Sequence, residues 1–410
     1  MHSDNRENSI SKGKNYLLDL SNKNDNSDEL EYLIDNFLGM VVKDLSEIPK
    51  SKNKIRVYAV GDMAQLKNEE DVIFVIKEFS FNDKVLSGEN FKIIGMGKVP
   101  LNIHDVAVYY REFFEGDDYF NNVQSEHEFQ NLTESNKESM AFRTGIYLTK
   151  IVKEESHDKG ELLHFNLLRC SSNLTGATDN FRKTDNEIVD AVNDVVQFDF
   201  EKETKLNHIL AQIYYNRMKS DNSTKELKAK IKAHSDKTKD MPKEGLLVFA
   251  TFYDKSNFDQ LKPSKTNRFD RTYKNISGYT RMLFKLKKTV KDDALKKEFS
   301  VTLYPNSLLM IPLSTNRLYT HEIRPSVLNI DKIPIRMGYV LRCSDLEAVY
   351  MENQTYINEK GNLIKLEPMT DETMEILRDN YWKENKTEDS VEYGKVHFSM
   401  NLGDYKKPLF

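Results

Sequence analysis

Six short apolar runs decide the fold: ILAQIYYN (209–216), GLLVFATFY (245–253), TRMLFKLKK (280–288), FSVTLYP (299–305), SLLMIPL (307–313) and PIRMGYVLRCS (334–344). They are rich in β-branched and aromatic residues, and Pro, Asn and Gly separate them, which is typical of short strands joined by turns. Many such strands in one region predict an antiparallel double sheet. We therefore expect an α+β protein with a double-stranded β-helix, or jelly-roll, core and flanking helices.

The segments outside this region predict accessory parts. Residues 1–27 are mostly polar, and we expect a disordered arm because so few apolar residues cannot offset the entropy of ordering. Residues 28–95 combine an amphipathic helical pattern with three strand-like runs, which predicts an N-terminal α+β subdomain with a structural or partner-binding role. In residues 346–410, the pattern DETMEILRDNYWKEN predicts a C-terminal helix that packs on the core together with the tail.

Composition excludes several classes of protein. The chain has 410 residues, 39% of them hydrophobic, and a net charge of −5, so it can bury a core and carries no global positive field. Its two cysteines, Cys170 and Cys343, form no CxxC pair, which argues against a disulfide framework and against a cysteine zinc site. The sequence contains no apolar run typical of a signal peptide or membrane span, so we expect a soluble, intracellular protein of the cytoplasm or nucleus.

One short motif and one distant histidine carry the candidate chemistry. His234 and Asp236 lie two residues apart in IKAHSDKTKDM, so on an extended strand both side chains face the same side. A redox-active Fe(II) site needs a further histidine and must leave positions open for a co-substrate and O₂. His321 follows a strand-like run far enough along the chain for several hairpins to bring it back. We predict that His234, Asp236 and His321 are the metal ligands and the catalytic residues.

Four further residues could bind a co-substrate. Arg336 and Arg342 are six residues apart and would face the same side of a strand, where two guanidinium groups could hold a dicarboxylate. Gln212 and Tyr214 share a face of an earlier strand and offer an amide and a phenol. Each of these features is unspecific when taken singly.

Their order along the chain is more specific. A polar-x-Tyr strand, His-x-Asp, a distal His and Arg-x5-Arg follow one another, and in this the chain resembles the AlkB-like branch of the 2-oxoglutarate- and Fe(II)-dependent dioxygenases over about residues 95–345. The resemblance implies a dioxygenase domain at residues 96–345 that uses Fe(II), 2-oxoglutarate and O₂, with ascorbate as the reductant in an assay.

The resemblance also implies individual roles. Arg336 would pair with the distal carboxylate of 2-oxoglutarate, Arg342 would lie near its 1-carboxylate, and Tyr214 would form a hydrogen bond with the co-substrate. Gln212 stands where that family more often has Asn. The spacing between Asp236 and the distal histidine is longer than is usual in the family, and a polar loop at residues 255–275 accounts for the extra length.

The resemblance implies a reaction as well: hydroxylation of a C–H bond with release of succinate and CO₂, most directly oxidative demethylation or hydroxylation of a nucleic-acid base. Two basic runs could contact phosphates, since residues 217–243 hold nine Lys and Arg against four Asp and Glu, and residues 281–297 hold seven against two. Ordinary solvated faces explain these runs equally well. Asn180, Phe181 and Arg182 offer the amide, ring and guanidinium that a flipped base needs, although Phe181 could equally fill the core.

Several alternatives remain open. Two other candidate metal sites are His104-Asp105 and Glu126-His127-Glu128, but neither has an Arg pair at the corresponding place. The same chemistry could serve a protein or small-molecule hydroxylase, or the barrel could be catalytically inactive and act as a binding module. No GxxxxGK[ST] loop, GxSxG elbow or HExxH helix occurs, so nucleotide hydrolysis, serine hydrolysis and zinc proteolysis have no supporting motif.

Overall fold

The computed structural model describes residues 7–22, 27–49, 54–66, 72–82, 90–132, 143–158, 160–169, 174–220 and 223–410, so Cys170 lies outside the described residues. The described chain mixes helices with mostly antiparallel strands. Its five α-helices are α1 (Asp28–Asn36), α2 (Tyr119–Glu126), α3 (Lys183–Asp199), α4 (Leu313–Leu318) and α5 (Asp371–Lys386). None of the described helices combines the length and apolar character that a membrane crossing requires.

The first part of the chain forms a five-stranded parallel sheet in the order β2-β1-β3-β4-β5. Its strands are β1 (Asn15–Leu20), β2 (Met40–Val42), β3 (Arg56–Asp62), β4 (Ile73–Phe81) and β5 (Phe91–Ile94). Successive residues of β1 belong to different buried clusters, with Leu17 in one and Leu18 in the other. A parallel sheet covered on both faces has this pattern, which explains the near-continuous apolar runs in this region.

The expected disordered arm is wrong for Asn15–Leu20, because β1 is a buried inner strand of the parallel sheet. Its first residue, Asn15, is fully enclosed, and its amide donates a hydrogen bond of 3.1 Å to Asp199. A short apolar run inside a long polar segment is lost when composition is averaged over the whole segment. The rest of that prediction falls partly on residues 1–6 and 23–26, which lie outside the described residues.

A nine-stranded sheet forms the centre of the molecule, in the order β12-β9-β13-β25-β17-β23-β7-β6, with β8 beside β9. All described neighbours in it are antiparallel except β12 and β9. Its strands are β6 (Leu101–Ile103), β7 (Ala107–Tyr110), β8 (Gln130–Asn131), β9 (Arg143–Thr149), β12 (Asp179–Asn180), β13 (His208–Tyr214), β17 (Leu246–Tyr253), β23 (Ser307–Pro312) and β25 (Arg336–Arg342).

A four-stranded antiparallel sheet packs on one face of the nine-stranded sheet, in the order β16-β24-β21-β22. Its strands are β16 (Ile231–His234), β21 (Arg281–Leu286), β22 (Glu298–Thr302) and β24 (Tyr319–Arg324). The two sheets share one buried cluster, in which Leu247 and Phe249 of β17 meet Phe284 of β21. This pairing of sheets leaves a space between them that becomes the candidate site.

Helices cover the opposite face of the nine-stranded sheet. On α3, the apolar residues Ile188, Val192 and Val195 follow one another every three or four positions, and all of them are buried in the cluster against the sheet. The even-numbered residues of β17 belong to the same cluster. β17 is therefore buried on both faces, which explains why LLVFATFY is apolar except for Thr251.

The remaining strands lie at the periphery. A five-stranded antiparallel sheet contains β10 (Val152–Ser156), β11 (Gly160–Leu167), β26 (Leu346–Met351), β27 (Gln354–Glu359) and β28 (Asn362–Lys365). Two smaller sheets contain β14 (Arg217–Met218) and β15 (Glu226–Leu227), and β18 (Lys262–Pro263), β19 (Arg271–Tyr273) and β20 (Ile276–Ser277). The helix predicted at residues 371–385 is confirmed as α5, whereas β26 to β28 were not predicted.

A buried charge cluster ties α3 to the central sheet. His127 follows α2, and its two ring nitrogens lie 2.8 Å from Asp179 and 2.7 Å from Asp185. The hydroxyl of Tyr339 on β25 donates to Asp185, and Arg182 donates to Asp179. Burial disfavours the charged ring, but the hydrogen bonds to the two carboxylates outweigh it and raise the pKa of His127 to about 9.

This cluster predicts a pH-dependent contribution to stability. At neutral pH, His127→Gln should lower the free energy of unfolding by about 3–5 kcal/mol, because it leaves the buried carboxylate of Asp185 without a cation and that of Asp179 with Arg182 alone. Since the pKa of His127 is raised by folding, the contribution is full below about pH 6.5 and is lost as the pH rises towards 9. Urea denaturation of both proteins between pH 6 and 9.5 would measure it.

The matched control is His164→Gln, because His164 pairs with Glu154 at the surface. That change should cost about 1 kcal/mol or less. Equal losses in the two variants would contradict the assignment of a buried imidazolium to His127.

Candidate metal centre

The structure brings the three predicted ligands together. His234 ends β16, and its Cα partner on the neighbouring strand β24 is His321, so the two imidazole rings lie with centroids 4.5 Å apart. The Oδ1 atom of Asp236 lies 3.2 Å from Nε2 of His234 and 3.6 Å from Nε2 of His321. Ligand atoms bound to one metal at about 2.1 Å and at right angles would be about 3 Å apart. Two imidazoles and one carboxylate therefore converge as a facial set of metal ligands does.

Asp236 reaches this position by a route that the strand pattern did not predict. β16 ends at His234, so Asp236 lies beyond the strand and its direction is set by its contacts. Its backbone N–H donates 2.8 Å to the side-chain oxygen of Asn316 on α4, and the Asn316 amide donates 2.8 Å back to the Asp236 carbonyl. The preceding Ser235 N–H donates to Asn385 on α5. Sequence reasoning missed Asn316 and Asn385, since nothing in their local sequence signals a contact with so distant a residue.

The charge states suit metal binding. Burial disfavours the carboxylate of Asp236, but the charge of Arg342, followed by the hydrogen bonds with the two histidines, holds the pKa of Asp236 well below its usual range. Burial, together with the neighbouring His234, lowers the pKa of His321. Nδ1 of His234 lies 2.9 Å from the Lys232 carbonyl, so a tautomer with its proton on Nδ1 would donate to that carbonyl and offer Nε2 to a metal.

The triad lies in a cavity of about 290 Å³ between the two sheets. All four predicted co-substrate residues line it: Gln212, Tyr214, Arg336 and Arg342. The walls near the triad are apolar and include Phe249, whose ring centroid lies 5.5 Å from that of His321. The site therefore combines polar and apolar lining residues, as ligand pockets commonly do.

The two predicted arginines occupy different ends of this cavity. Nη2 of Arg342 donates 2.6 Å to Oδ2 of Asp236, so Arg342 supports the candidate ligand. Arg336 is buried, with its guanidinium 4.1 Å from the ring centroid of Tyr214. Within the described part of the chain, no carboxylate lies within 4 Å of the Arg336 nitrogens. Gly338 permits this arrangement, because a Cβ atom there would lie 2.9 Å from Nη1 of Arg336.

The predicted base-binding segment is not part of the cavity. Phe181 is buried in the cluster between α3 and the central sheet, Asn180 accepts a hydrogen bond from the Ile151 N–H, and Arg182 pairs with Asp179. The prediction that Asn180, Phe181 and Arg182 bind a flipped base in this cavity is therefore wrong. The segment stabilises the start of α3, and the alternative that Phe181 fills the core is confirmed.

Side chains of the two alternative metal sites are engaged in other contacts. Glu126, His127 and Asp185 lie close enough to hold an ion, but both ring nitrogens of His127 are already engaged with carboxylates. His104 packs edge-on against Phe299, and its neighbour Asp105 accepts hydrogen bonds in its own turn.

Comparisons with known proteins add little to this geometry. No family model and no curated protein matches the chain. A solved structure titled "The structure of OsALKBH1" aligns with 58% of this chain and 96% of that one, at 12% identity and a TM-score of 0.31. A likeness at that level does not identify a family.

The triad predicts which single change removes metal binding. Asp236→Asn keeps the shape of the side chain but removes the anionic donor, so the affinity for Co(II), used as a spectroscopic substitute for Fe(II), should fall by more than about 100-fold. Titration followed by visible absorbance would measure it. Asp331→Asn is the control, since Asp331 is exposed and pairs only with Lys332 among the described residues. Equal Co(II) affinity in all three proteins would contradict the assignment.

Proposed function

We propose that this chain is a non-haem Fe(II)- and 2-oxoglutarate-dependent dioxygenase. The observation that carries the proposal is the combination, in one cavity, of a His-Asp-His set with a buried guanidinium, Arg336, that has no carboxylate partner among the described residues. A zinc hydrolase could use the same three ligands, but it would have no use for an enclosed cation at the far end of the cavity. The facing nine- and four-stranded sheets support a jelly-roll core.

In this proposal each of the polar residues that line the cavity has a separate role in binding the co-substrate or the metal. Arg336 binds the distal carboxylate by charge-assisted hydrogen bonds, and the ring of Tyr214 keeps the guanidinium plane in place. The Tyr214 hydroxyl already donates 2.8 Å to Gln212, so the Gln212 amide nitrogen is the group that this pair presents to a ligand. Arg342 holds the Asp236 carboxylate in a fixed orientation at the metal end.

When bound, iron and 2-oxoglutarate would supply the activation of O₂, so that one oxygen atom enters a substrate C–H bond and the other enters succinate, with release of CO₂. The chain contributes placement and exclusion of water. Phe249, Met282 and Ile323 enclose the triad on the apolar side, which limits the access of solvent to the reacting atoms.

We propose a base of DNA or RNA as the substrate, supported by the basic run at residues 217–243. Within it, Lys230 and Lys232 are exposed, but they flank Ile231, which lines the cavity, and so are directed away from it, whereas Lys239 is paired with Asp240. The run at residues 281–297 has a similar placement: Met282 and Phe284 point inwards, so Arg281 and Lys285 lie on the outer face of the sheet. This outward direction favours a second candidate, hydroxylation of a protein or small molecule at the same site.

One assay separates these possibilities. Purified protein is incubated in air with Fe(II), ascorbate and 2-oxoglutarate, with and without a pool of methylated oligonucleotides, and succinate and formaldehyde are measured. Stimulation of both by the pool supports demethylation of a nucleic acid. Iron-dependent succinate without stimulation supports the second candidate. No succinate under any condition contradicts a dioxygenase and favours an inactive barrel that acts as a binding module.

The role of Arg336 gives a quantitative prediction. Arg336→Ala should raise the 2-oxoglutarate concentration for half-maximal succinate production by about 10- to 100-fold, because charge-assisted hydrogen bonds to the distal carboxylate are lost. The iron requirement should not change, since Arg336 lies at the other end of the cavity from the triad. An unchanged 2-oxoglutarate requirement would contradict the proposed role.

A further inference from the structure

A third arginine faces the same cavity. Arg143 begins β9, and its Cα partner on β13 is Tyr214. Tyr214 is in turn the Cα partner of Arg336 on β25. Directly opposed residues of antiparallel strands have their side chains on the same face of the sheet. Arg143 and Arg336 therefore lie in one row on either side of Tyr214, and all three line the cavity.

The charges in this row are not balanced by the described protein. Nε of Arg143 is enclosed and has no hydrogen-bond partner among the described residues. Asp236 is the one carboxylate among the described residues that line the cavity, and it is engaged by Arg342 at the other end. The buried guanidinium of Arg336 and the half-buried one of Arg143 thus share the far end without an acid among the described residues, although buried charges are stable only when they are paired. A bound anion would balance the positive charges of Arg143 and Arg336.

The position of Arg143 along its strand indicates whether it would contact the substrate or the co-substrate. Phe249, which contacts His321, belongs to a row with Val340, Leu210 and Tyr147. Arg143 is four residues from Tyr147 on β9, which is about 13 Å along an extended strand. A substrate C–H bond must react beside the metal, whereas Arg143 lies at the level of Arg336.

We propose that Arg143 is a second residue for the distal carboxylate of 2-oxoglutarate, so that Arg143 and Arg336 bind it from the two sides of Tyr214. This inference rests on the proposed function, because it assumes that the co-substrate extends from the triad towards Arg336. It assigns Arg143 a binding role without any part in the reaction at the metal.

Binding measurements without turnover test this assignment. Calorimetric titration of the Mn(II)-loaded protein without oxygen compares 2-oxoglutarate with 2-oxobutyrate, which keeps the 2-oxo acid and lacks the distal carboxylate. Arg143→Ala should weaken binding of 2-oxoglutarate about 10-fold or more and leave 2-oxobutyrate unchanged. Arg143→Lys, which keeps the charge, should recover part of the loss. Arg324→Ala is the control, since Arg324 pairs with Glu322 at the surface and does not line the cavity.

Three results would overturn the inference. If Arg336→Ala weakens 2-oxoglutarate binding but neither Arg143 variant does, the assignment of Arg143 is wrong and the proposed function stands. If Arg143→Ala and Arg143→Lys weaken both ligands equally, Arg143 shapes the cavity and does not recognise the carboxylate. If the unaltered protein binds no 2-oxoglutarate, the proposed function itself fails, and this inference fails with it. Thermal melting of each variant separates a loss of binding from a loss of folding.

Discussion

The buried ion pair between Asp236 and Arg342 is the contact on which the candidate site depends. Asp236 follows a strand of the four-stranded sheet, and Arg342 ends a strand of the nine-stranded sheet, so their hydrogen bond of 2.6 Å joins the two layers at the triad. Removing one partner from such a pair typically costs about 3–5 kcal/mol, because the other charge is left buried. The pair thus supports both the packing of the sheets and the orientation of one carboxylate oxygen towards the histidines.

The two ends of the cavity differ in charge, with the Asp236–Arg342 ion pair at one of them. At the triad, Oδ2 of the one carboxylate is paired with Arg342, and Oδ1 and the two imidazoles are placed to receive the positive charge that a metal would add. At the far end, Arg143 and Arg336 have no described acid between them. A ligand with an acid at each end fits such a distribution better than a neutral or cationic one, which is the physical basis for choosing a dicarboxylate co-substrate.

Part of the fold and of the candidate site could be predicted from the sequence, and part could not. The common facing of Arg336 and Arg342 follows from their spacing on one strand, whereas Asp236 lies beyond its strand and is placed by Asn316, although all of these side chains line one cavity. Register between strands is not encoded in local spacing, so the row that contains Arg143 could not be predicted from the sequence. β1 was hidden by its polar surroundings, and Phe181 was assigned to a ligand because an aromatic residue in a polar loop has the same appearance in the core.

The most direct test of the central claim is the position of the metal in crystals grown without oxygen in the presence of Fe(II) and 2-oxoglutarate. Anomalous diffraction at the iron edge should give one strong peak at about 2 Å from Nε2 of His234, Oδ1 of Asp236 and Nε2 of His321. A peak at another group of residues, or ordered side chains at the triad with no peak beside them, would contradict the account.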